Sequence, residues 1–138
     1  MGLDLICGDM DIRAGSYSAV HLVRIYLLET IKNYLIKNDE DNSLIKDIED
    51  LHNGTIIDYE KYDKIRTMLI IEDLNGFDCF INHSNGVIHP NNASLFVNQC
   101  DKLYDYFDRD EYYFDNNQFY LYEIFKHSSD TCEDIIFC

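Results

Sequence analysis

The clearest hydrophobic rhythm in the chain is helical. From Tyr17 to Lys37, apolar residues recur at Val20, Val23, Leu27, Ile31 and Tyr34, the spacing of one helix face. Between Ala19 and Leu28 only His21 and Arg24 are polar. The first half of this helix is therefore expected to be buried nearly all round, in the middle of the fold. Ser16 or Ser18 can N-cap it. Its second half turns amphipathic, with Glu29, Lys32, Asn33 and Lys37 outward. Ahead of it, residues 3–7 read as a short buried strand. A polar loop with two glycines, Gly8 and Gly15, joins strand to helix.

Further on, an acidic loop at 38–42 precedes a helix over 43–52 that Asn42 can cap and Asn53-Gly54 ends. Asp58 opens a third helix, in which Tyr62, Ile65, Met68 and Leu69 align, and Asn75-Gly76 stops it. The run Met68–Ile71 also suits a strand. Residues 77–89 read as a hairpin. Phe77, Cys79 and Ile81 alternate with Asp78 and Asn82, and a turn over Ser84-Asn85-Gly86 keeps Val87 on the same face. Pro90 to Asn92 begin a helix, from about 93 to 107, that carries the stripe Phe96, Cys100, Leu103 and Phe107. Strands are expected at 118–126 and 134–137, although Leu121, Phe125, Cys132, Ile135 and Ile136 fit a helical period as well. The pattern predicts one α+β domain over 1–138: a small, mostly antiparallel sheet, about four helices packed on it, and the 17–37 helix central.

Charge narrows the choice of partner. Asp and Glu number 26 against 11 Lys and Arg, a formal net charge of −15. Such a field repels nucleic acid and anionic lipid, so neither direct nucleic-acid binding nor membrane attachment is expected. A basic protein partner is easier to accommodate. No stretch approaches the roughly 20 apolar residues of a membrane span. No leader of a basic segment followed by an apolar one opens the chain. Five cysteines at irregular spacing read as reduced thiols, which points to the cytoplasm. The pattern does not fix an oligomeric state.

Two groups of residues could carry chemistry. Tyr17, His21 and Arg24 share one helical stripe, and Ser16 stands at the helix start, where free N–H groups attract anions. With Arg13 just before, Arg13, Ser16, Tyr17, His21 and Arg24 form a candidate site for a phosphate, sulfate or carboxylate. In the alternative, Arg24 pairs with an acid and His21 is a hydrogen-bonded core residue. The Gly8–Gly15 spacing is too long for a phosphate-binding Walker loop, no Lys follows the second glycine, and the third glycine of a dinucleotide fingerprint is missing, so no cofactor is implied. The second group is Cys79, His83 and His89, which share one face of the expected hairpin and offer zinc-type ligands. Their C-x3-H-x5-H spacing matches no closed structural site, and Cys79 equally suits a small core position.

Asp9-x-Asp11 after an apolar strand resembles the first motif of the haloacid-dehalogenase phosphatases, which implies a nucleophile at Asp9, a general acid at Asp11 and magnesium between them. The chain departs from that motif at Gly8 and at Ile12-Arg13, and no paired acidic motif follows. The opening Met1-Gly2-Leu3-Asp4, followed by Gly15-Ser16-Tyr17-Ser18, His21 and Arg24, resembles a loose set of uncharacterised proteins of giant DNA viruses and phages. That resemblance covers the front segment alone. It implies viral provenance, with the host cytoplasm or the virion as location, and no activity.

The last unusual feature is Asp101–Phe125, where ten Tyr or Phe are mixed with seven acids. Tyr-rich surfaces carry interface energy, and acids beside them suit a basic partner or mimic nucleic-acid phosphates. Alternate aromatics could instead fill the core beneath a solvated acidic face. The leading expectation is a non-enzymatic protein-binding module acting through this acidic-aromatic surface. The alternative is a phosphate- or nucleotide-handling enzyme, or a ligand-binding protein, with its site at the 8–24 loop–helix junction.

Overall fold

Strand β1 (Gly2–Cys7) turns back directly into β2 (Met10–Ser16). The computed structural model describes residues 2–82, 86–107 and 119–138. The expected front loop is thus mostly a hairpin. Gly8-Asp9 is its two-residue turn, and Gly8 takes φ 58° at the first central position, where such turns favour glycine. Cys7 pairs with Met10, Ile6 with Asp11, Leu5 with Ile12 and Asp4 with Arg13. A bulge then skips Ala14, so that Leu3 meets Gly15.

The hairpin joins β3 (Gly86–Ile88) and β4 (Ile135–Phe137) in an antiparallel sheet of order β2-β1-β4-β3. Alternation gives it two unlike faces. Leu5, Cys7, Ile88, Ile135 and Phe137 are buried on one, with Met10 and Ile12 packed partly against them. Asp4, Ile6, Asp11, Arg13, Val87 and Ile136 lie on the other, where Val87 and Ile136 are exposed. This is the antiparallel sheet with one covered face that the sequence predicts.

Helix α1 (Tyr17–Asn38) starts where Ser16, in extended conformation, accepts a hydrogen bond from the Ala19 amide at 3.2 Å. It is buried on most sides from Val23 to Leu28 and touches β1, β2 and α2 (Leu44–Glu49), the central place expected of it. Helix α2 is shorter than the expected 43–52 because the chain turns after Asp50, and His52 pairs with Ile57. Asn42 accepts from the Leu44 amide at 2.9 Å, and Asp58 accepts from the Glu60 and Lys61 amides at the start of α3 (Tyr59–Ile71). Tyr62, Ile65 and Leu69 of α3 face the core, whereas Met68 is outward.

The expected 77–89 hairpin does not form. Residues Asp78–Ile81 make a short helix, α4, and the strand Gly86–Ile88 pairs with β4 instead. Phe77, Phe80 and Ile81 are all buried, so helical spacing satisfies the apolar positions better than alternation does. Pro90, tolerated at a first helical position, begins α5 (Pro90–Lys102) within the expected 90–92 start, but the helix ends five residues short of 107, and a 3-10 turn follows at Tyr104–Tyr106. The expected strand at 118–126 is helix α6 (Phe119–Thr131), in which Leu121, Ile124, Phe125 and Ser128 fall on one buried face. The last expected strand, at 134–137, is β4.

Helices α5 and α6 meet through Phe96 and Phe125, whose rings stack with centroids 3.9 Å apart and planes at 15°. Phe80 approaches both edge-on, and Phe137 of β4 reaches Phe80 at 5.9 Å. This aromatic cluster ties the helical layer to the sheet. Among the described residues no helix is long and apolar enough to cross a membrane.

Candidate functional site

The five residues of the expected anion site go to different environments. Arg13 lies on the open face of the sheet, 59% exposed, with Nη1 3.4 Å from the Asp4 carboxylate. Ser16 spends its hydroxyl on the α1 cap, and Tyr17 is exposed. Arg24 points into the core. Its Nε donates to the Phe80 carbonyl at 3.0 Å, Nη1 reaches the Tyr59 hydroxyl at 3.5 Å, and the guanidinium lies 5.4 Å above the Phe80 ring. Tyr59 in turn donates to the Ile81 carbonyl at 3.3 Å. Arg24 and Tyr59 thereby fasten α1 and α3 to the backbone of α4. His21 stays near Arg24. Burial, and then that positive charge, hold its pKa below the ordinary imidazole value. Its Nδ1 is buried with no hydrogen-bond partner among the described residues.

The Asp9-x-Asp11 pair straddles the β1–β2 turn, Asp9 within it and Asp11 on β2. A hairpin in that position replaces the strand-to-loop exit that the phosphatase motif requires.

The expected metal residues are not presented by a hairpin. Cys79 sits on α4, with Sγ 3.8 Å from the Gly76 carbonyl and 3.7 Å from that of Asn92. Burial, then the nearby Asp78, pushes its thiol up to about 12. His89 caps the entrance to α5, and its Nδ1 lies 3.1 Å from Asp134. His83 lies outside the described residues. Among the described residues no three His, Cys, Asp or Glu side chains gather as a metal-binding group.

Two polar clusters escape a reading of the sequence. Asp78 accepts from the Tyr62 hydroxyl at 2.6 Å and from Arg66 Nη2 at 2.9 Å, clamping α4 to α3. Burial, reinforced by Asp78, raises the Tyr62 pKa, and the bond to Asp78 raises that of Arg66. In the other cluster, His52 Nε2 lies 2.8 Å from Glu29, whose second oxygen takes Lys32 at 2.7 Å. The Gly54 amide donates to His52 Nδ1 at 3.1 Å, which assigns the ring proton to Nε2. His52 borders an open cleft of about 390 Å³ with Asp50, Leu51, Asn53, Ile56 and Asp58. Both ring nitrogens are already engaged, so the imidazole serves to hold the 52–57 turn against α1. Such partners, 16 and 23 residues apart, leave no short-range spacing to read.

The acidic-aromatic tract divides. Leu103, Phe107, Leu121, Ile124 and Phe125 are core, and Phe107 stacks on Tyr26 at 6.0 Å. Tyr106 packs edge-on against Tyr34 of α1 at 5.3 Å, and its hydroxyl accepts from Asn38. The outward remainder clusters at the end of α5. Asp101, Tyr104 and Asp105 are exposed, Tyr104 by 57%. From α6, Tyr122 donates to Asp101 at 3.2 Å, and burial followed by Asp101 raises the Tyr122 pKa. Residues 108–118 of the tract lie outside the described residues.

No family model, curated protein or solved structure matches the chain.

Proposed function

We propose that this is a non-enzymatic binding protein that engages a basic segment of another protein through the surface at the end of α5, the following 3-10 turn and the facing side of α6. The observation that carries the reading is Tyr104. It is a large aromatic side chain 57% exposed between the exposed carboxylates of Asp101 and Asp105. An amphipathic ring flanked by acids offers a Lys- or Arg-rich segment both ring-face contact and charge pairing. The net charge of −15 adds long-range attraction for such a partner and speeds encounter.

The test is calorimetric titration with a decapeptide of alternating Lys and Leu, alongside an amide chemical-shift map. The triple variant Asp101→Asn, Tyr104→Ala, Asp105→Asn should bind about tenfold more weakly or worse. A control with the same charge loss at the opposite end of α5, Glu133→Gln with Asp134→Asn beside His89, should bind as the parent does. Equal weakening in both variants means diffuse attraction by net charge, and it overturns the assignment to this surface.

A further inference from the structure

We propose that the outer edge of β2 pairs antiparallel with β2 of a second copy of the chain, joining two four-stranded sheets into one of eight. Strand β2 ends the sheet, and β1 occupies its inner side. The direction of its backbone groups follows from β1. Asp4 exchanges both backbone hydrogen bonds with Cys138, on the β4 side, at 2.6 and 3.0 Å. The Asp4–Arg13 pair is therefore of the kind without mutual backbone bonds, and so is Ile6–Asp11 two residues on. Asp11 and Arg13 turn their N–H and C=O groups outward, and among the described residues nothing bonds them. A row of unpaired backbone groups is a template for another strand.

Side chains select the partner and the register. Asp11 and Arg13 are exposed on the open face, with Ile12 between them on the helix-covered face. Directly opposed residues of an antiparallel pair share a face. The helices of both copies then stay on one side only if residues of like face are opposed. Three self-pairings of this stretch satisfy that rule. Centring on Asp11 opposes two carboxylates, and centring on Arg13 opposes two guanidinium groups. Centring on Ile12 sets each Asp11 against Arg13 of the other copy. In that register the outward groups of Asp11 and Arg13 form the narrow, doubly bonded pairs, as their backbone direction requires. The half-exposed Ile12 side chains of the two copies meet across the axis. The carboxylate of Asp11 has no partner among the described residues, and Arg13 holds Asp4 only at 3.4 Å in solvent. Both are open to a closer pairing. The bulge at Ala14 ends the flat edge just beyond this stretch, which disfavours longer or shifted alignments.

The experiment is sedimentation velocity on the full chain, at concentrations up to about 100 μM and near 0.15 M salt, where repulsion between the acidic surfaces is screened beyond about 8 Å. The parent should sediment with twice the chain mass. Asp11→Arg and Arg13→Asp, each of which opposes like charges, should shift it to monomer. The double exchange Asp11→Arg with Arg13→Asp should restore the dimer. Asp11→Pro, which removes an outward N–H at an edge where proline is tolerated, should be a folded monomer by circular dichroism. A parent that stays monomeric throughout overturns the proposal. So does a dimer indifferent to both single charge changes.

Discussion

The division of the Asp101–Phe125 tract into core and surface can be tested on two of its rings. Phe125 has no exposed surface, stacks on Phe96 at 3.9 Å and meets Phe80 edge-on at 6.4 Å. Truncating a buried phenylalanine costs about 3–5 kcal/mol. A stacked pair adds about 0.5–1.5 kcal/mol to what area alone provides. Phe125→Ala should therefore lose about 4 kcal/mol, a large part of the roughly 5–15 kcal/mol that holds a domain together. At about 3–5 °C per kcal/mol for a chain of this size, Tm should fall by about 12–20 °C. Tyr104→Ala removes an equally large ring from the surface and should stay within about 0.5 kcal/mol of the parent. The assay is urea unfolding by far-ultraviolet circular dichroism and tyrosine fluorescence, because the chain has no tryptophan. A double-mutant cycle with Phe96→Leu and Phe125→Leu should return a coupling of about 0.5–1.5 kcal/mol for the stack. A loss below about 1 kcal/mol for Phe125→Ala would refute the packing argument. So would equal losses for Phe125→Ala and Tyr104→Ala.

Two further outcomes follow from the titrating groups. Burial and Arg24 hold His21 below its ordinary 6.5, so the unfolded chain takes up a proton there before the folded protein does. This contribution to stability is intact above 6.5 and is lost as pH falls from there through the folded value. His21→Gln should lose less stability than the parent between about pH 7.5 and 5.5; an unchanged pH slope contradicts the burial of His21. With its thiol raised by burial and by Asp78, Cys79 carries little thiolate at pH 8. An aromatic disulfide reagent should therefore label the exposed Cys132 and Cys138 quickly, the half-buried Cys79 much more slowly, and Cys7 and Cys100 only on unfolding. Labelling of Cys79 at the rate of Cys132 would show that α4 does not shield it.

What could be read from sequence depended on how far away each residue's partner lies. Helix α1 was legible because its cap, apolar stripe and amphipathic end all fall within one continuous segment. Asp58 announced α3 for the same reason. The β1–β2 hairpin carried a legible signal too: Gly8-Asp9 separates Leu5 and Cys7 from Met10 and Ile12. Gly8 and Gly15 suit a ligand loop as well, and only the strand pairing separates the two patterns. At Phe77–Ile81 the period-two and helical patterns coincide over so few residues that only packing separates them. Arg24 shows the deeper limit. A polar residue on an apolar helix signals a buried partner or a ligand equally well, and its acceptor, the Phe80 carbonyl, lies 56 residues away. Local spacing alone suggests the anion site, whereas the tertiary fold keeps His21 near Arg24 and commits Arg13, Ser16 and Arg24 to different surroundings.

Strand β4 occupies the middle of the sheet, between β1 and β3, although it is built from residues 135–137. Leu5 waits for Phe137, and Val87 for Ile136. On a chain emerging from a ribosome, the helices and the front hairpin can form while the sheet is still in two pieces. Its closure is a late, long-range step, and such steps govern folding speed. Any nascent or proteolysed chain that stops short of residue 135 leaves two inner strand edges bare, one on β1 and one on β3, along with the apolar face between them. A three-residue strand thus acts as the keystone for strands that precede it in the chain.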